Sequence, residues 1–349
     1  GPCTVIDLKQ SATPHSPWKF CVAPMMQYTD RHFRMLARIL SVNARLYTEM
    51  VVCDALIYGD AERFLRHSPA EHPVALQLGG SDPALLAQAA KLGEAAGYCE
   101  INLNVGCPSD RVQSGKFGAC LMAEPALVAA CVEAMQQAVD VPVTVKTRIG
   151  IDRSDSYDEL LGFVATLDAA GCEVLIVHAR KAWLDGLSPR ENREIPPLRY
   201  DVVHRLKADF PHLTIVINGG LETLDNAAET GRPVDGVMLG RAAYENPFLL
   251  AGVDRAFFGS DSPPQDRFAV FSRYCAYAEQ ELAAGTYLRH LAKPLHYLFQ
   301  GQPGARQWRR YLSERCNPTA AGIDELVGAV KCVERAGAVP TAPNSNAAA

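Results

Sequence analysis

Ile101-Asn-Leu-Asn-Val-Gly-Cys-Pro-Ser109 alternates apolar and amide residues and ends in a Gly-Cys-Pro turn. A period of two puts Asn102 and Asn104 on one face, with Ile101, Leu103 and Val105 on the other. This predicts a β-strand with an apolar back and a polar front, followed by a turn that carries Cys107. Parallel α/β folds keep their active sites just past the strand ends, so the thiol is a candidate proton donor or nucleophile. Standing alone, the segment reads as a strand followed by a buried structural cysteine. Its neighbours in the sequence argue for the functional reading.

Four other apolar runs end in the same way. Pro73–Gly80 points Ala75, Gln77 and Gly79 to one face, and Pro142–Arg148 aligns Thr144, Lys146 and Arg148. Glu173–Arg180 aligns Ile176, His178 and Arg180, and Thr214–Gly220 sets Asn218 beside Gly219 and Gly220. A lone His or Lys at a strand end is usually a satisfied rim residue, but polar tips on five apolar strands imply a shared site.

Strand-like runs recur at Phe20–Met26, Ala44–Val51, Pro73–Gly80, Cys99–Gly106, Pro142–Ile149, Glu173–Arg180, Thr214–Gly220 and Gly236–Ala242. Helix-period stretches separate most of them, among them Pro83–Ala96, Pro125–Ala138 and Tyr157–Ala170. Eight β units alternating with helices predict an α/β protein, a (β/α)8 TIM barrel. The longest irregular insertion, Lys181–Leu198, follows the sixth strand, where a loop of this length is usually functional. After Gly259 the breaker Asp261-Ser-Pro-Pro264 leads into helical segments near Gln265–Ala284, Tyr287–Gln300, Gly304–Glu314 and Ala321–Arg335, so a small all-helical C-terminal domain is expected. The expected division is an N-terminal extension over 1–17, a barrel over 18–258, a helical domain over 259–337 and a disordered tail over 338–349. Gly1-Pro2 reads as a scar of tag cleavage.

Composition narrows the class. The 349 residues allow a barrel with an appendage, and 48% apolar with 21% charged residues is ordinary for a globular protein. Eleven scattered cysteines without a Cys-x-x-Cys pair argue for a reducing, cytoplasmic setting and against a structural zinc site. No apolar run approaches the roughly 18 residues of a membrane helix, so no membrane and no metal are expected. The net charge of −5 gives no sign of nucleic acid, yet residues 259–339 carry 10 Lys and Arg against 8 Asp and Glu. Arg306, Arg309 and Arg310 fall within about one helical turn, with Trp308 and Tyr311 interleaved. On its own, that pattern reads as a solvated helix face.

The seventh and eighth units end in Asn218-Gly-Gly220 and Gly240-Arg241, where barrels of this kind bind phosphate through backbone N–H groups. The remaining strand-end groups suit a flavin ring across the mouth. Lys146 fits the cation beside N1, Gln77 an edge contact, and the backbone of Pro24-Met25-Met26 can pass against the ring. With no Gly-x-Gly-x-x-Gly fingerprint, FMN fits better than FAD.

These residues carry a resemblance. Ala23-Pro-Met-Met26 with Thr29-Asp30, Asn102-x-Asn-x-Gly-Cys-Pro-Ser109, Lys146-Thr-Arg-Ile-Gly150, His178-Ala-Arg180, Asn218-Gly-Gly220 and Gly240-Arg-Ala-Ala-Tyr-Glu-Asn-Pro247 resemble the tRNA-dihydrouridine synthases. The match runs from about Phe20 to Arg335, and His178–Leu198 is similar to the A subfamily, which modifies D-loop uridines 20 and 20a. The resemblance implies reduction of the uracil C5–C6 bond in the tRNA D-loop, with FMN as cofactor and NADPH as reductant. It implies that Cys107 is the general acid at C5. Pro24, Met25, Met26, Gln77, Lys146, His178, Asn218, Gly219, Gly220, Gly240 and Arg241 match FMN contacts. Asn104 and Arg180 match holders of the target base, and Arg190, Arg193, Arg306 and Arg309 match positions that grip tRNA.

Two other readings stay open at this point. One is an FMN barrel acting on a small molecule, such as a dihydroorotate dehydrogenase or an ene-reductase, although such an enzyme needs no basic helical appendage. The other is an RNA-binding protein that has lost catalysis, which the intact Cys107, Lys146 and His178 argue against.

Overall fold

The computed structural model describes residues 15–338. The first fourteen residues of the expected extension, and all of the expected tail except Ala338, lie outside them. Eight parallel strands alternate with helices: β1 (Phe20–Val22), β2 (Leu46–Val52), β3 (Val74–Gly79), β4 (Ile101–Val105), β5 (Val143–Arg148), β6 (Val174–His178), β7 (Thr214–Asn218) and β8 (Gly236–Leu239). Their order is β1-β8-β7-β6-β5-β4-β3-β2. The circle closes just ahead of β2, where Val22 N donates to Arg45 O at 2.9 Å and Arg45 N donates to Phe20 O at 2.9 Å. This is the predicted (β/α)8 barrel, with helices at its C-terminus.

Every strand except β2, where Glu49, Met50 and Val52 are partly exposed, is almost wholly buried, as the apolar runs require when helices cover a parallel sheet. The helices pack by their apolar stripes and start at local signals. Asp82 caps Pro83–Ala95 by accepting from Ala84 N and Leu85 N, and Ser156 with Glu159 forms a capping box for Tyr157–Ala169. Inside the barrel, Cys21, Ala23, Tyr47, Ala75, Ile176, Val216 and Met238 form one apolar cluster.

Two expected elements are shorter than the sequence suggests. The first strand stops at Val22 instead of Met26, because the chain turns at Met25, whose carbonyl accepts from Tyr28 N at 3.1 Å and Thr29 N at 3.0 Å. The helix expected over Tyr287–Gln300 is a single α segment, Leu288–Ala292, followed by a 3-10 turn at Lys293–Leu295. Pro294 lies in that turn; it has no N–H to donate and its ring crowds the preceding turn.

After Gly259, whose left-handed backbone ends the helix Val253–Phe258, all described elements are helical. The long helix Arg267–Ala283 docks on the barrel helix Arg31–Leu40. There Arg31 makes a two-pronged ion pair with Glu281, both contacts at 2.8 Å, and His32 Nδ1 meets the Tyr277 hydroxyl at 2.6 Å. Trp308 is fully buried among Phe271 and Phe299 and donates to Leu295 O at 2.9 Å. No helix among the described residues is long and apolar enough to cross a membrane.

A candidate active site at the barrel mouth

The strand register decides which side chains meet. Asn104 of β4 lies beside Lys146 of β5, Arg148 beside His178 of β6, and His178 beside Asn218 of β7. Gln77 of β3 lies beside Asn102. The alternation read from sequence thus puts Gln77, Asn104, Lys146, His178 and Asn218 around one rim.

The turn after β4 is shaped by Asn104. Its Oδ1 accepts from Gly106 N at 3.0 Å and Cys107 N at 2.9 Å, and its Nδ2 donates to Gln77 Oε1 at 3.1 Å. Cys107 is half-buried, and its thiol faces the Ser109 hydroxyl at 3.6 Å. Arg148 holds the same turn from the other side, donating to Gly106 O at 3.0 Å and to Asn192 O of the Lys181–Leu198 insertion at 2.9 Å.

Cations crowd this mouth without acidic partners. Lys146, Arg148, Arg180 and Arg193 make no ion pair among the described residues, whereas Arg241 does. Burial pushes the Lys146 ammonium down to about 8, and Arg148 adds to the effect. Burial and then the neighbouring Arg148 and Lys146 hold His178 well below the ordinary imidazole range, so its ring is neutral. His178 Nε2 and Arg180 Nε are the two buried side-chain polar atoms without a hydrogen-bond partner among the described residues. Such orphans are rare, and both lie here. Groups of three or more His, Cys, Asp or Glu that could hold a metal do not occur among the described residues.

Glycines open the floor on the side of β7 and β8. Gly219 and Gly220 have φ values of +117° and +65°, which side chains rarely adopt. A Cβ at Gly219 would come to 2.7 Å from the His178 ring, and one at Gly220 to 2.5 Å from Leu198. Gly240 differs, because a Cβ there would meet Ala23 and the Met25 sulfur at ordinary distances of 3.5 and 3.6 Å. Its neighbours leave ordinary space, while its backbone, at φ −106° and ψ −100°, lies outside the main helical and extended regions. Asn218 is buried and donates to Met238 O at 3.0 Å. Pro24 and Met25 are half-buried beside this floor, and Met26 is 56% exposed.

The insertion is ordered by its own side chains. Asn192 exchanges two hydrogen bonds of 2.8 Å with the backbone of Trp183, and Arg180 donates to Pro196 O at 2.9 Å. Glu194 takes Arg241 at 3.0 Å and Arg190 at 3.5 Å, so the residue expected to meet phosphate already has a carboxylate within reach. Arg190 and Arg193 sit exposed on the rim.

Arg306 and Arg309 lie away from this cluster on the helix Ala305–Arg315. Arg306 is exposed and Arg309 donates to Gln300 at 3.2 Å. The aromatic residues interleaved with them do not join an RNA-facing surface, since Trp308 is core and the Tyr311 hydroxyl donates to Glu325 at 2.8 Å. Sequence reasoning missed a basic cleft between the barrel and the helices, lined by Tyr244, Arg289, His290, Lys293 and His296. Lys293 also reaches the carbonyl of Gln27 at 2.5 Å, which ties this cleft to the rim. It missed Arg148 as the clamp on the Cys107 turn as well, although the alignment of Arg148 with Lys146 was the available signal.

Fold and geometry together define a class: a (β/α)8 barrel with a loop-borne thiol beside uncompensated cations at the C-terminal ends of its strands. Residues 21–334 match the dihydrouridine synthase (Dus) family, and the chain belongs to that enzyme family. It is 58% identical over 320 residues to a protein of Escherichia coli strain K12 named tRNA-dihydrouridine(20/20a) synthase, covering 91% of this chain and 92% of that one. A protein of the same name from Salmonella typhimurium is 57% identical over 328 residues, 94% of this chain and 98% of the relative. One from Shewanella oneidensis is 55% identical over 315 residues, 90% and 94% of the two chains.

Proposed function

We propose that this enzyme reduces the C5–C6 double bond of uridines 20 and 20a in the D-loop of tRNA, in the cytoplasm, with FMN as cofactor and NADPH as reductant. The observation that carries the reading is the mouth: two orphaned buried nitrogens, a partnerless lysine and a glycine floor beside a half-buried thiol. These features fit an anionic flavin phosphate and ring. Gly219, Gly220, Gly240 and Arg241 would hold the phosphate, with Arg241 exchanging Glu194 for it. Lys146, His178, Gln77, Asn218 and the Pro24–Met26 backbone would hold the ring.

FMN bound there supplies the hydride, replenished from NADPH. Addition at C6 builds enolate-like charge over C5, C4 and O4, so a proton must reach C5. Cys107 would deliver it, from the turn that Asn104 and Arg148 fix. Arg180 and the remaining N–H of Asn104 hold the base, which must leave its stack to reach the mouth. Residues 18–258 form the catalytic domain and 259–337 the tRNA-recognition domain, with Arg190, Arg193, Arg306 and Arg309 on phosphates.

Cys107→Ala tests this. The variant keeps FMN and tRNA binding and loses about 10²–10⁴ in single-turnover uridine reduction. Wild-type turnover in that variant, or a wild-type protein that purifies without flavin absorbance, overturns the reading.

A further inference from the structure

Polar side chains run in an unbroken line through the barrel interior from its base to the Cys107 turn. Thr144 Oγ1 donates to Glu100 Oε2 at 2.6 Å, and Asn102 Nδ2 donates to Thr144 Oγ1 at 2.8 Å. Gln77 Nε2 donates to Asn102 Oδ1 at 2.9 Å, Asn104 Nδ2 donates to Gln77 Oε1 at 3.1 Å, and Asn104 Oδ1 accepts from Cys107 N at 2.9 Å. Glu100, Thr144, Asn102 and Gln77 are all buried. At the base the Glu100 carboxylate also takes Arg45 Nε at 2.5 Å, Trp18 Nε1 at 2.9 Å and the Tyr47 hydroxyl at 2.8 Å.

The two ends give this line a fixed direction. A carboxylate only accepts and a backbone N–H only donates, whereas a hydroxyl or a primary amide between them can do either. Starting from Glu100, Thr144 must donate downward, so Asn102 must present its NH2 to Thr144 and its oxygen to Gln77. Gln77 in turn must present oxygen to Asn104, which leaves the Asn104 oxygen for the turn. Starting from the turn, two N–H groups at Gly106 and Cys107 demand that same oxygen. Both ends specify one orientation, and neighbouring bonds in such a chain polarise each other.

We infer that Glu100, Thr144 and Asn102 are positioning residues for the reaction, setting the amide orientation of Gln77 and Asn104 and through them the place of Cys107. If the Thr144 link is cut, the amide orientations of Asn102, Gln77 and Asn104 are specified from the turn alone, and the line loses its anchor on Glu100. Asn104 still presents oxygen to the turn but is no longer held from below, so the general acid loses part of its positioning while the cationic mouth and the glycine floor stay as they are. The inference rests on the reading of the mouth proposed above.

The test is Thr144→Val in the full-length, flavin-loaded enzyme, with Thr144→Ser as the rescue. Valine keeps the shape of threonine without its hydroxyl, and serine restores the hydroxyl. We expect Thr144→Val to retain FMN and a KM for tRNA within about twofold of wild type, and to lose roughly 10- to 100-fold in kcat, the scale of a misplaced catalytic group. Thr144→Ser recovers kcat to within about threefold. If the valine variant does not accumulate as folded protein, Thr144→Cys replaces it, because a thiol is only a weak donor. An unchanged kcat in the hydroxyl-free variant, or a loss that serine does not recover, overturns the inference. A flavin-loaded, active wild type alongside an active Thr144→Val leaves the proposed function standing and removes only the positioning chain. A wild type without flavin or uridine reduction brings both down.

Discussion

The two ends of the barrel interior treat charge in opposite ways. At the base, Glu100 is buried but takes hydrogen bonds from Arg45, Trp18, Tyr47 and Thr144, with its guanidinium partner at 2.5 Å. At the mouth, Lys146 and Arg148 are held below their ordinary values by burial, and no carboxylate pairs with them or with Arg180 and Arg193 among the described residues. A charge whose partner belongs to the same chain serves the fold. A group of like charges without partners calls for a complement outside the chain, which under the proposed function is the phosphate and reduced ring of the flavin together with RNA.

The sharpest way to break this contrast is to remove the charge at the base. Glu100→Ala strands the Arg45 guanidinium in the interior and is expected to lower unfolding free energy by about 3–5 kcal/mol in urea, the usual cost of breaking a buried pair from one side. A loss below about 1 kcal/mol would show that the base is no better satisfied than the mouth.

Lys146→Met should act in the opposite direction in flavin-free protein. The folded-state value of Lys146 is about 8, beneath the ordinary 10.5. Below pH 8 both folded and unfolded chains hold the proton, and the folded chain carries the cost of burying the charge. As pH rises from 8 to 10.5 the folded chain releases its proton first, so wild-type stability rises toward that of the variant. The expectation is a higher Tm for Lys146→Met at pH 7, by a few degrees, with the gain fading by pH 10. A gain that is constant across this range would locate the effect in packing rather than charge.

The smallest effect is expected on the helical side. Arg306→Ala with Arg309→Ala should leave Tm and flavin content unchanged and flatten the log–log salt dependence of tRNA binding by roughly 0.7–0.9 for each lost phosphate contact. An unchanged slope would move the RNA surface to the cleft of Arg289, Lys293 and His296.

The mouth was legible in the sequence because its residues sit at strand ends with a fixed period. Gln77, Asn104, Lys146, His178 and Asn218 could each be assigned a face from their own segment alone. The base was not legible, because Arg45 and Glu100 are 55 positions apart and become partners only when the barrel closes. For the same reason the pairing of Glu194 with Arg241, 47 positions on, left no local trace. The segment with Trp308 interleaved among Arg306, Arg309 and Arg310 read on its own as a solvated helix face, because a single turn of helix does not say which side is core. The burial of Trp308 against Phe271 and Phe299 depends on elements some ten and forty residues away in sequence.

Arg148 also makes two loops behave as one part. A single guanidinium grips the carbonyl of Gly106 beside the thiol and that of Asn192 within the insertion, so two loops separated by a whole β/α unit share one fastening. Loops on a barrel can ordinarily be exchanged one at a time, which lets the fold diversify. Here a change in the length of the sixth loop pulls on the fastening of the fourth, so a graft of either must carry the other.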